Sequence, residues 1–174
     1  MRTLFGDEAA SDAIGAATLS GCGTFRYQLT RTWDAALRPA AFVMLNPSTA
    51  DATADDPTVR RCVGFARAWG CGGIEVVNLF AFRSPNPSDL LSAADPVGPE
   101  NDGYVRRAAE QCRPVVAAWG ASFPPGPRVG AVLDILARVG VPLMCLGVTK
   151  GGHPRHPLYV PAVAKLVPYP GASS

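Results

Sequence analysis

Ala40-Ala41-Phe42-Val43-Met44-Leu45-Asn46-Pro47-Ser48 is the stretch that decides the fold. The apolar run from Ala40 to Leu45, bounded by Pro39 and Pro47, is short and continuous, as expected for a strand covered on both faces. Such strands belong to sheets packed between helices, and those sheets bind ligands outside the carboxyl ends of their strands. Asn46-Pro47-Ser48 therefore reads as a site loop. A second loop of this kind, Gly152-His153-Pro154-Arg155-His156-Pro157-Leu158-Tyr159, follows another apolar run far along the chain.

Outward from this strand the pattern alternates. Thr24 to Trp33 alternates aromatic or apolar with polar side chains, which predicts a half-buried edge strand or hairpin arm. Asp55-Asp56-Pro57 gives a capping carboxylate followed by proline at the first helical position. Val59, Cys62, Val63, Ala66 and Trp69 then recur at helical spacing up to the stop Gly70-Cys71-Gly72-Gly73. Further strands are expected at Ile74–Phe80, Val115–Trp119 and Pro142–Leu146, and further helices at Asn101–Cys112 and Arg128–Val139. Strand and helix in alternation, with right-handed crossovers, predict a three-layer α/β/α sandwich around a mainly parallel sheet.

The 174 residues, 48% hydrophobic and 17% charged, suffice for one core, so a single α/β domain is expected over residues 21–170. A flexible segment is expected at 1–20 and a loose end at 171–174. No apolar run approaches the roughly 20 residues of a membrane helix, and Met1 to Leu19 lacks the features of a secretory signal, which predicts a cytoplasmic protein that does not use a membrane. The net charge of +2 gives no basic excess from which nucleic-acid binding would follow. Five cysteines without Cys-x-x-Cys spacing read as reduced thiols, most of them packed in the core.

The site residues come from the polar positions that end the apolar runs. Asn46, fixed by Pro47, either positions a water or reads an amide edge, or else closes a turn. Asn78 interrupts an apolar strand, where an amide must find partners; it either bridges loops or meets the edge of a nucleobase. Arg83 either clamps a phosphate or is a solvated loop residue. His153 and His156, the two histidines of the chain, are candidates for supplying a proton or stabilising negative charge, with Lys150 and Arg155 adding positive potential. Both histidines with Asp51, Asp55 or Asp56 would give a metal-dependent hydrolase, although those aspartates are better explained as turn and cap residues. No cofactor is called for.

These motifs closely resemble a bacterial and phage group, domain-of-unknown-function family sixteen forty-three. The resemblance is carried by Leu45 to Asp51, Asp56 to Thr58, Val77 to Phe80, Pro96 to Asp102, Ala118 to Gly120 and His156 to Tyr159. More remotely, Met44 to Ser48, Asn78 to Pro85 and His153 to Leu158 are similar, in the same order, to three motifs of the uracil-DNA glycosylase superfamily. That resemblance implies a glycosylase-like fold acting on a possibly modified base in DNA. By it Asn46 positions the attacking water with Pro47 and Ser48 beside it, and Asn78 reads the flipped base. A histidine stabilises the leaving base, and Leu158 or Tyr159 wedges into the duplex. The chain departs from the superfamily where Met44 and Ser48 replace glycines beside the Asn-Pro. It also has no iron–sulfur ligand set. A nucleic-acid or nucleotide binding module without turnover is the alternative from another class.

Overall fold

A computed structural model describes residues 12–172. The described residues form one mixed sheet of seven strands with three α-helices. The strands are β1 (Ile14–Leu19), β2 (Arg26–Thr32), β3 (Ala40–Met44), β4 (Gly73–Asn78), β5 (Val115–Ala117), β6 (Leu143–Cys145) and β7 (Val167–Pro168). The helices are α1 (Pro57–Ala68), α2 (Asn101–Gln111) and α3 (Arg128–Val139).

In space the strands run β1-β2-β4-β3-β5-β6-β7. Three pairings, β3 with β4, β3 with β5 and β5 with β6, are parallel. The other three, β1 with β2, β2 with β4 and β6 with β7, are antiparallel, so the expected mainly parallel sheet is corrected to a mixed one. The parallel block is the part that alternates with helices. The β1–β2 hairpin and the short β7 extend it on either side through antiparallel pairings.

The crossover rule explains the two faces. From β3 the chain steps one way to β4 through α1; from β4 to β5 and from β5 to β6 it steps the other way through α2 and α3. Right-handed connections in opposite directions put their helices on opposite faces. The core divides accordingly. Val59, Cys62, Val63 and Ala66 of α1 pack with Phe42, Met44, Ile74 and Val76, whereas Val105 and Ala109 of α2 and Val132 and Leu136 of α3 pack with Val43, Val77, Val115 and Leu143. The chain reverses its stepping direction around β3, which opens a crevice outside the carboxyl ends of the parallel strands.

The local signals account for the helix ends. Asp56 accepts a hydrogen bond from the Val59 N–H at 2.8 Å and caps α1, with Pro57 at the first helical position. Gly140, with a left-handed φ of 76°, ends α3. The segment that joins the site loop to α1 is tied to the sheet by Arg31, which donates to Asp55 Oδ1 at 2.8 Å and to the Asp51 carbonyl at 2.6 Å. The same segment crowds β1: a Cβ on Gly15 would lie 2.1 Å from the Ala52 carbonyl oxygen, so only glycine fits there.

Of the expected loose ends, residues 1–11 and 173–174 lie outside the described residues. Ile14–Leu19, expected within the flexible segment, forms β1, and Gly171 and Ala172 belong to a short 3-10 turn. Cys62, Cys71, Cys112 and Cys145 are buried free thiols, while Cys22 is exposed in the β1–β2 connection. Hydrogen bonds with Ser20 and Thr24 help lower the Cys22 thiol pKa to about 7. No helix among the described residues is long and apolar enough to cross a membrane.

Candidate functional site

The loops after β3, β4 and β5 and the late Gly-rich loop meet around a cleft of about 170 Å³. Register explains much of the convergence: Met44 lies beside Asn78, and Val43 beside Ala117, so Asn46 and Trp119 emerge two residues beyond paired positions. Of the sequence candidates Asn46, Ser48, Asn78 and His156 line the cleft, together with Arg26, Asp56, Ser84 and Trp119.

Asn46 uses the donor half of its amide to hold the wall. Nδ2 donates to the carbonyls of Ser84 at 2.9 Å, Pro47 at 3.1 Å and Phe82 at 3.4 Å. Three acceptors around one atom identify it as the nitrogen, and Oδ1 accepts nothing from the described residues. Pro47 is buried behind the cleft wall, where its carbonyl also accepts the Ser84 N–H at 3.0 Å.

Asn78 is different in kind. It is 1% exposed, and neither Nδ2 nor Oδ1 has a hydrogen-bond partner among the described residues. A buried amide left so costs about 1–3 kcal/mol at each unsatisfied group, and a ligand presenting a donor beside an acceptor removes that cost. Its backbone, by contrast, is held: Asn101 Nδ2 donates to the Asn78 carbonyl at 2.9 Å.

His156 enters on the loop after β6, which α1 fastens through Arg61 bonds to the Pro157 and Val160 carbonyls. Its Nδ1 accepts the Leu158 N–H at 3.2 Å, which leaves the proton of the neutral ring on Nε2. Burial lowers its pKa, partly offset by the Asp56 carboxylate. Gly120 makes room for this ring: it has φ 75°, and a Cβ there would lie 3.2 Å from His156 Cβ.

A stability test follows from that shift. The unfolded chain protonates His156 near its ordinary 6.5 and the folded chain only at lower pH, so the unfolded state binds more protons between the two values. The histidine's contribution is complete above that window and is lost as pH falls through it. Urea midpoints measured from about pH 7 to about pH 5 are expected to fall further for the wild type than for His156→Gln.

The remaining candidates lie around the cleft or away from it. Arg83 lines an adjoining hollow with Gly23, Ser48 and Ser84 and donates to the Gly23 carbonyl at 3.2 Å. His153 does not line the cleft; a turn closed by the Thr149 N–H to the His153 carbonyl at 2.9 Å carries it away, with exposed Lys150 in the same turn. Arg155 is exposed, and Leu158 and Tyr159 stand out on the rim at 38% and 78% exposure. Asp51 accepts from the Thr53 and Ala54 N–H groups, Asp55 pairs with Arg31 and Asp56 caps α1. Among the described residues no three His, Cys, Asp or Glu side chains are grouped to hold a metal ion.

Sequence reasoning missed Arg26 and Trp119 as site residues. Arg26 falls on the polar phase of its strand and so reads as solvent-facing, yet it is 4% exposed. Trp119 carries a signal, an aromatic at the end of an apolar run, but such a residue equally reads as core.

The family described as "Protein of unknown function (DUF1643)" matches residues 26–158, and the chain belongs to it. No curated protein and no solved structure matches the chain.

Proposed function

We propose that this member of the DUF1643 family is a DNA glycosylase-like hydrolase, which cleaves the N-glycosidic bond of a possibly modified nucleobase by water attack. The observation that carries the reading is Asn78: a buried amide with both halves unpartnered, facing a cleft beside Asn46 and His156. Its adjacent donor and acceptor suit the amide edge of a base turned out of the duplex.

In this reading the Asn46 Oδ1 accepts a hydrogen bond from the attacking water. The water oxygen bonds to the sugar C1′ as the C–N bond breaks, and the bonding pair leaves on the base. The water's proton ends on the departing base or in solvent. The His156 Nε2–H, neutral because Nδ1 is occupied, donates to the charge that develops on the base. Exposed Leu158 and Tyr159 on the same loop are placed to enter the gap that the flipped base leaves. The reading also carries the finer fold assignment, a glycosylase-like three-layer sandwich, supported by the packing of α1 against a separate core from that of α2 and α3. A DNA-repair or DNA-modification role goes with it.

The test is single-turnover cleavage of labelled oligonucleotides bearing uracil, hypoxanthine, mismatched thymine or hydroxymethylated bases. Abasic-site formation on one of them, reduced about 10²- to 10³-fold by Asn46→Ala, is the expected result. The binding-module reading draws on one observation, that Asn46 Nδ2 already has a structural task in three carbonyl contacts. No product across the panel, with DNA binding kept at low salt, decides for the module.

A further inference from the structure

Arg26, at the start of β2, is a buried cation that lines the cleft and keeps one edge unpartnered. Its Nη1 donates to the Ala50 carbonyl, while Nε and Nη2 have no partner among the described residues. None of the ion pairs among those residues includes it, in contrast with Arg31 on the same strand, which holds Asp55 at 2.7 Å.

Burial lowers the Arg26 pKa to about 10, so the guanidinium keeps its charge at neutral pH. Asp56 and Asp51 offset part of this from beyond ion-pair distance, and Arg83 and Arg31 oppose them. A buried guanidinium without a paired carboxylate is a costly arrangement that an anion relieves. With Nη1 taken, the remaining Nε–Nη2 edge is the one that donates to two oxygens of a carboxylate or phosphate side by side. Asn78, also buried and unpartnered, lines the same small cleft.

We propose that the cleft binds a small ligand with a planar amide edge, whose anionic oxygens, carboxylate or phosphate, seat on the Nε–Nη2 edge of Arg26 while that amide edge pairs with Asn78. This rests on the base-reading role given to Asn78 above, but it concerns binding alone and asks nothing of turnover. It names the charge of the ligand, which the glycosidic reading leaves open.

Isothermal titration of the full chain at low salt tests it with four probes: uridine, orotate, uridine 5′-monophosphate and inorganic phosphate. Orotate carries its anion on the base and the monophosphate carries it on the sugar. At least one of them is expected to bind about tenfold more tightly than uridine. Arg26→Met abolishes that preference, Arg26→Lys keeps part of it, and Asn78→Leu weakens charged and neutral probes alike. The stronger of the two anionic probes tells whether the charge sits on the base or on the phosphate.

Four results overturn the proposal: equal binding of uridine and both anionic probes, no binding by any probe, inorganic phosphate matching the better probe, or a preference that survives in folded Arg26→Met. The wild-type comparison decides even if Arg26→Met fails to fold. Abasic-site formation is read separately. Product without a charge preference removes the anion site and leaves the glycosylase, and a preference without product does the reverse.

Discussion

Arg31→Met lowers the free energy of unfolding by about 3–5 kcal/mol, because it strands a buried carboxylate and the carbonyls around it. The Arg31 and Asp55 side chains are 5% and 12% exposed, so water does little to replace the lost partner. The guanidinium also donates to the Thr30, Asp51 and Ala54 carbonyls, so one substitution removes four hydrogen bonds. Urea unfolding measures the loss, with the slope unchanged if the unfolded state is unaffected. Arg31→Met combined with Asp55→Asn recovers part of the stability, since the stranded charge is then gone. A loss below about 1 kcal/mol in the single variant would place the pair among ordinary surface bridges and remove this account of the loop.

His156→Gln reduces the single-turnover rate of the proposed glycosylase about 10²- to 10³-fold, and His153→Gln leaves it nearly unchanged. The contrast follows from position. The His156 ring lines the cleft with Nδ1 engaged by the Leu158 N–H, whereas His153 is carried off by its own turn. DNA affinity is expected to stay within about threefold in both variants, because the reading gives neither histidine a phosphate to neutralise. A slow His153→Gln and an unaffected His156→Gln would mean that the wrong histidine has been assigned to the leaving base.

The parallel block was legible because its signals are local. The Ala40–Leu45 run, the Asp56-Pro57 start and the Arg128–Val139 periodicity each specify one element, and the structure puts β3, α1 and α3 there. Of the flanking strands, β2 was legible from the Thr24–Trp33 alternation, whereas β1 and β7 were not. Gly15-Ala16-Ala17 in β1 has little strand propensity, and its place is set by pairing with β2 and by the Ala52 carbonyl that needs a glycine there. Val167–Pro168 is too short to show a period and exists as a strand only beside β6. The two outermost strands therefore had no sequence signature.

In the site, Asn46 and Asn78 were legible because each is polar at the end of a buried run, where an amide needs a reason. The two histidines share almost the same sequence surroundings; the Val148–Pro154 bridge closes the turn that carries His153, while His156 lines the cleft. Arg26 could not be read at all. Alternation assigns it to solvent, and its burial comes from the loop carrying Ala50, which folds over it from 24 residues away.

The unequal burial of the thiols makes the protein a ready object for fluorescence work. Alkylation of the native chain by a maleimide dye should stop at a single adduct, on Cys22, with no engineered cysteine-free background required. That dye would sit next to Gly23, whose carbonyl Arg83 grips at the edge of the hollow shared with Ser48. Its emission would then report, in real time and without labelled substrate, whatever enters there.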